Sequence, residues 1–171
     1  MRPDADPPAA SPIPPDILLP DPDAPAPTAE RQATMALLAR ATREELESAV
    51  ERFAPLPKLR QLRAPETGLV MVRGRIGGDG AAFNMGEATV TRAAVQIGNG
   101  ATGIAYLLGR VPEKARAAAI LDALWQDEAL RIAVDDALSP IRRRLTTEQA
   151  AATAETEATR VNFFTMVRGE D

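Results

Sequence analysis

Histidine and cysteine are both missing from this chain of 171 residues, and each absence removes a class of chemistry. Without imidazole or thiolate there is no His base, no Cys nucleophile and no ordinary zinc site, so no dedicated metal site is expected. The missing cysteine also excludes a disulfide framework, in keeping with a cytoplasmic location. No apolar run approaches the length of about 18 residues that a membrane helix needs, and the N-terminal MRPDADPP has no apolar leader region. Neither export nor membrane insertion is expected. Aromatic residues make up only 4% of the chain, with one Trp and one Tyr. What remains for chemistry is Asp, Glu, Arg, Lys58, Lys114, Tyr106, the serines and the threonines.

The residues that are present divide the chain. Ten of the 15 prolines fall within residues 1–27, beside Asp4, Asp6, Asp16, Asp21 and Asp23. Such a stretch buries too little apolar surface to offset the entropy of ordering it, so 1–27 reads as a disordered tail and 28–171 as one domain. Within the tail only Ile13 to Leu19 is apolar enough for a docking motif. The formal charge of −4 conceals an asymmetry: residues 58–116 carry nine bases against four acids, while the segments on either side are neutral or acidic. A basic centre of this kind suits a polyphosphate or an acidic protein surface.

Periodicity gives an α+β fold: a central antiparallel β-meander with N-terminal and C-terminal helices packed on it. Two helices are predicted between Thr28 and Phe53. Met35 and Leu38 face one way in the first; Leu46, Val50 and Phe53 do so in the second, which starts at a capping box of Thr42 and Glu45. Five strands follow, over 58–64, 67–76, 81–85, 89–97 and 102–110. Glycine-rich turns join them at Gly77 to Gly80 and at Asn99-Gly100. In the last strand Ile104, Tyr106 and Leu108 point one way while Ala105 and Leu107 point the other. Neither face is polar, so both need covering, one by the chain's helices and part of the other by a partner protein.

Helical patterns resume at Pro112, which suits a first turn, and Trp125 reads as core. A short helix carrying Leu130 and Val134 should break at Ser139-Pro140. A last helix, capped by Thr146 and Gln149, should carry Ala150, Ala154, Ala158, Val161 and Phe164 on one stripe. Arg160, Phe164 and Arg168 would share its flank, two guanidiniums around an aromatic suited to a carboxylate or a phosphate. The triple Arg142, Arg143 and Arg144 reads as a solvated face.

Two glycine-rich stretches invite other readings. Gly98 to Gly103 satisfies G-x-G-x-x-G, the basis of an alternative in which the chain is a self-contained small nucleotide-binding enzyme. That fingerprint requires a helix opening at the loop and an acid ending a following parallel strand, and neither pattern is present. Gly77 to Gly80 lacks the Gly-Lys-Ser/Thr ending of a P-loop.

Several blocks together resemble one family. They are Glu66-Thr67-Gly68-Leu69-Val70; Gly77-Gly78-x-Gly80 with Phe83 and Gly86; Ala88-Thr89-x-Thr91-Arg92-Ala93-Ala94-Val95; Gly109-Arg110; Asp122-Ala123-Leu124; and the closing Arg160-Val161-x-Phe163-Phe164-Thr165-Met166-Val167-Arg168-Gly169. The chain from about Thr28 onward resembles the PhnG subunit family of the bacterial carbon–phosphorus lyase system for phosphonate breakdown. The resemblance implies an accessory subunit of a core complex with H, I and J subunits, linked functionally to an L subunit. That complex displaces adenine from ATP with an alkylphosphonate, giving a ribose 1-alkylphosphonate 5-triphosphate. ATP is then a substrate of the complex, with no cofactor bound by this chain alone, and no nucleic-acid or membrane partner is implied. The matched blocks offer Arg92, Arg110, Arg160 and Arg168 as phosphate-binding or interface residues, supported by Glu66, Thr67, Glu87, Thr89 and Phe164. None of the four arginines supplies a base or nucleophile, so the chemistry is expected in a partner.

Overall fold

The computed structural model describes residues 26–56, 58–76 and 80–159. Residues 1–25 of the proline-rich tail, Gly77 to Asp79 of the glycine-rich turn and the closing Arg160 to Gly169 block lie outside the described residues. Helices α1 (Ala26–Arg40) and α2 (Arg43–Glu51) are followed by β1 (Leu59–Gly74), β2 (Phe83–Ile97) and β3 (Thr102–Leu108), then by α3 (Pro112–Trp125) and α4 (Glu128–Ala158). The strands form one antiparallel sheet in the order β1-β2-β3, so the α+β expectation holds.

The five predicted strands are three. The first two fuse into β1 because Pro65 lies on an edge strand, where a missing N–H breaks no ladder, and because register shifts between Gln61 and Arg63 and between Arg63 and Glu66 absorb the irregularity. The next two fuse into β2, which runs through Gly86 opposite Val72, next to a third shift. The β2–β3 turn also differs in detail. Gly100 N–H donates to the Ile97 carbonyl at 2.9 Å, which places Gly98 and Asn99 at the turn's centre. Gly98 takes φ 56°, as a type II′ hairpin asks of its first central residue. The G-x-G-x-x-G stretch is therefore a hairpin between antiparallel strands, with no helix opening from it.

Helix α3 is the middle layer. It is buried at Ala115 and continuously from Ala117 to Trp125, and it packs against β2 and β3 on one side and α1, α2 and α4 on the other. Its alanines permit close approach. A Cβ built on Gly103 would lie 1.9 Å from the Ala119 carbonyl oxygen and 2.7 Å from Ala123 Cβ, so β3 and α3 meet backbone to backbone. Helix α1 contributes Thr34 and Leu38 to the core, Ala41 adds to it from the link that follows, and α2 contributes Leu46 and Ala49 from behind the expected Thr42–Glu45 capping box.

The predicted break at Ser139-Pro140 does not occur. Helix α4 runs unbroken through Pro140 for 31 residues. A proline here removes one backbone hydrogen bond and crowds the preceding turn. The stripe of Val134, Leu138, Ile141 and Leu145 is buried on both sides of it, and that packing outweighs the local cost. Thr146 caps nothing; its hydroxyl donates to the Arg142 carbonyl at 2.9 Å within the helix. Ala150, Ala154 and Ala158 are exposed and form no buried stripe. Arg144 departs from its solvated reading, since its Nε and Nη2 each reach a Glu45 carboxylate oxygen at 2.7 Å and tie α4 to α2. Trp125 is core, 4% exposed, with Arg131 stacked 4.6 Å from its ring centre.

Candidate subunit interface

Burial alternates strictly along β3. Gly103, Ala105 and Leu107 face α3 and are buried, whereas Ile104, Tyr106 and Leu108 are 44%, 55% and 76% exposed. The register carries this outer face across the sheet in four rows: Leu108, Val90 and Gly68; Tyr106, Arg92 and Glu66; Ile104, Ala94 and Arg63; Thr102, Gln96 and Arg60. An antiparallel sheet facing water on one side places polar residues there. This one instead sets the exposed Ile104, Tyr106 and Leu108 beside the charges of Arg92, Glu66, Arg63 and Arg60.

Three of these charges form one ion-paired group. Arg92 Nε donates to Glu66 Oε1 at 2.6 Å, and Arg63 donates to the same oxygen. The two guanidiniums, Arg63 foremost, hold the Glu66 carboxyl below the usual carboxylate range. A phosphate approaching Arg92 would have to share or displace that carboxylate. The register brings Glu66, and not Glu87, to Arg92; Glu87 lies farther along β2, opposite Met71.

The expected site residues divide between the two sides of the sheet. Thr67 meets Thr91 hydroxyl to hydroxyl at 3.1 Å on the side facing α3. Thr91, wholly buried, donates to the Gly109 carbonyl at 2.6 Å and accepts from Val111 N–H at 3.1 Å. The Thr89 carbonyl accepts from Gly109 N–H at 2.8 Å. These threonines pin the corner where β3 turns into α3, and Arg110 stands exposed on that corner beside Gly109, whose φ is 89°. Arg160, Phe164 and Arg168 lie outside the described residues.

Sequence reasoning missed a cluster at the free edge of β3. Asp122, fully buried, accepts from Arg31 Nε at 3.0 Å, Arg31 Nη2 at 2.8 Å, Ile104 N–H at 2.9 Å and Gln126 Nε2 at 3.3 Å. Gln126 also donates to the Thr102 carbonyl at 3.0 Å. Side chains thereby occupy two of the backbone groups that β3 turns outward, Ile104 N–H and the Thr102 carbonyl. The legible signal was an aspartate in the middle of the apolar run from Ala117 to Trp125, which demands a buried partner.

An open groove lies between α1 and the exposed end of α4, lined by Leu37, Trp125, Leu145 and Ala154, and neither Arg92 nor Arg110 lines it. Among the described residues no helix is long and apolar enough to cross a membrane.

Comparison with known proteins was made against this geometry. A family model described as phosphonate metabolism protein PhnG matches residues 29–169. A protein of Rhizobium meliloti (strain 1021), the alpha-D-ribose 1-methylphosphonate 5-triphosphate synthase subunit PhnG, is 51% identical over 143 residues, covering 84% of this chain and 92% of that relative.

Proposed function

Because the chain belongs to the PhnG family of phosphonate metabolism, we propose that it is an accessory subunit of the carbon–phosphorus lyase core complex. It supports transfer of the ribose triphosphate of ATP to an alkylphosphonate with release of adenine. The observation that carries this reading is the outer sheet face of Ile104, Tyr106 and Leu108, apolar and uncovered among the described residues. A lone enzyme gains nothing from such a face, whereas a subunit buries it. Its partners are the H, I and J subunits of that complex, with the L component joining functionally, in the cytoplasm.

Arg92, Arg110, Arg160 and Arg168 serve assembly or hold the triphosphate, since a guanidinium stays charged and grips carboxylate or phosphate in a fork. The reacting groups reside in a partner. Co-expression with the H, I and J subunits tests the reading: a hetero-oligomer should survive high salt and, with the L component, release adenine from ATP in the presence of methylphosphonate. A chain that elutes alone as a soluble monomer overturns it.

A further inference from the structure

The outer sheet face carries more positive than negative charge beside its apolar column. Across the rows set by the register, Arg92, Arg63 and Arg60 stand against the single carboxylate of Glu66. Arg92 reaches Glu66 through Nε, and Arg60 donates to the neutral amide oxygen of Gln96. A guanidinium has five N–H donors, so most of those on this face are unused among the described residues. Ile104, Tyr106 and Leu108 form the exposed column alongside. An occupant suited to this face combines aliphatic side chains with acids.

The chain carries such a segment ahead of α1. Asp16-Ile17-Leu18-Leu19 is followed by Asp21 and Asp23, and in residues 1–25 Arg2 is the one cation against five aspartates. The family match begins at residue 29, so this segment lies outside the shared part. Its reach is sufficient. Arg31 Nη2 lies 3.5 Å from the Thr102 carbonyl, and Met35 and Leu38 border Ile104 to Leu107, so α1 begins at the Thr102 end of β3. Ile17 to Leu19 stand seven to nine residues ahead of Ala26, which is about 22–28 Å at about 3.1 Å per residue of extended proline-rich chain. The column from Ile104 to Leu108 is about 14 Å long, so the segment can round the β3 edge and lie along it.

Charge selects among the occupants. A second copy would set these three arginines against three more, and the closing block is balanced, Arg160 and Arg168 against Glu170 and Asp171. We propose that Asp16 to Asp23 lies across the outer sheet face, with Ile17 and Leu19 on the column and Asp21 and Asp23 toward the arginines, and that a docking partner displaces it. Alternate residues of an extended chain face one way, which puts those four side chains on the same side. Proline-rich segments also dock on exposed aromatics at low entropic cost, and Tyr106 is the aromatic here. Tethering supplies an effective concentration of about a millimolar, so a contact with a millimolar dissociation constant is occupied about half the time and costs a partner only about twofold in affinity. The contact is internal to this chain, so its test does not depend on the accessory-subunit reading.

Tyr106 is the single tyrosine of the chain, so its nitration by tetranitromethane reads coverage of the face. Nitration of the full chain should be slower than that of a variant combining Ile17→Ser, Leu18→Ser and Leu19→Ser, by at least about twofold as half-occupancy requires. Asp21→Asn with Asp23→Asn should fall between them. Because the chain has no cysteine, Pro14→Cys carries a spin label at one site. In nuclear magnetic resonance spectra of the full chain the label should broaden the amides of β3 within its own molecule and leave those of Leu37 and Leu145, in the α1–α4 groove, sharp. All of these substitutions precede α1 and leave the folded residues unaltered. Equal nitration of the full chain and the serine variant, no broadening at β3, or broadening at the groove instead each overturns the inference. Broadening seen only between labelled and isotope-enriched molecules in a mixture also overturns it, and assigns the face to a second copy.

Discussion

Arg31 holds Asp122 from two sides across 91 residues of sequence, Nε to Oδ1 at 3.0 Å and Nη2 to Oδ2 at 2.8 Å. The carboxylate is inaccessible while the guanidinium side chain retains 31% exposure, so charge and solvation enter the pair from opposite ends. The contact staples α1 to α3 and, through Ile104 N–H, to β3.

Removing the cation strands a buried anion. Arg31→Ala should cost about 3 kcal/mol of unfolding free energy, read as a shift in the urea midpoint. Adding Asp122→Asn should recover part of that loss, because a neutral amide needs no counterion.

Gly103→Ala should cost about 1–3 kcal/mol, since the new methyl meets the backbone of α3 and one of the two elements must move. Gly68→Ala supplies the contrast. Nothing lies within 4 Å of a Cβ there, and its effect should stay within about 0.5 kcal/mol.

Stability should fall on the acid side through Glu45. The Arg144 hydrogen bonds, followed by the capping bond from Thr42 N–H, hold its carboxyl below the ordinary range. A depressed folded-state pKa stabilises fully above the unfolded value of about 4.3 and loses that contribution as pH falls through the folded value. Melting temperature against pH should therefore decline below about pH 4, and Arg144→Ala should flatten the decline. An equally steep acid limb in that variant would remove Glu45 from the account.

Arg92→Ala separates assembly from ligand contact. With Glu66 already bound to it on the outer sheet face, the expected outcome is weaker complex recovery, by about 1–2 kcal/mol in affinity, with normal adenine release from what assembles. Normal assembly with ATP use weakened by about 2–4 kcal/mol of transition-state stabilisation would place Arg92 on the triphosphate.

How much of this was legible depended on the range of the contact. The Thr42–Glu45 box, the helical start at Pro112 and the two-faced strand at Ile104 to Leu108 are local patterns, and each could be read from spacing alone. Strand number was not. Pro65 and Gly86 look like breaks until the partner strand shows that bulges accommodate them. Pro140 misled for a related reason, because its local penalty is visible in sequence while the packing of Leu138 and Ile141 is not. Glu66 and Arg92 were both named as candidates, and register fixed their pairing with each other. Arg31 with Asp122 and Glu45 with Arg144 are separated by 91 and 99 residues, beyond the reach of any periodicity.

The chain has one tryptophan and one tyrosine, and the sheet lies between them. Trp125 is 4% exposed on the helical side, while Tyr106 is 55% exposed on the outer face. The two chromophores therefore answer different questions. Indole emission follows loss of the core and should be nearly blind to a protein settling on the outer face. Phenol absorbance should respond to that docking while the indole signal stands still, so each binding titration carries its own internal control for unfolding.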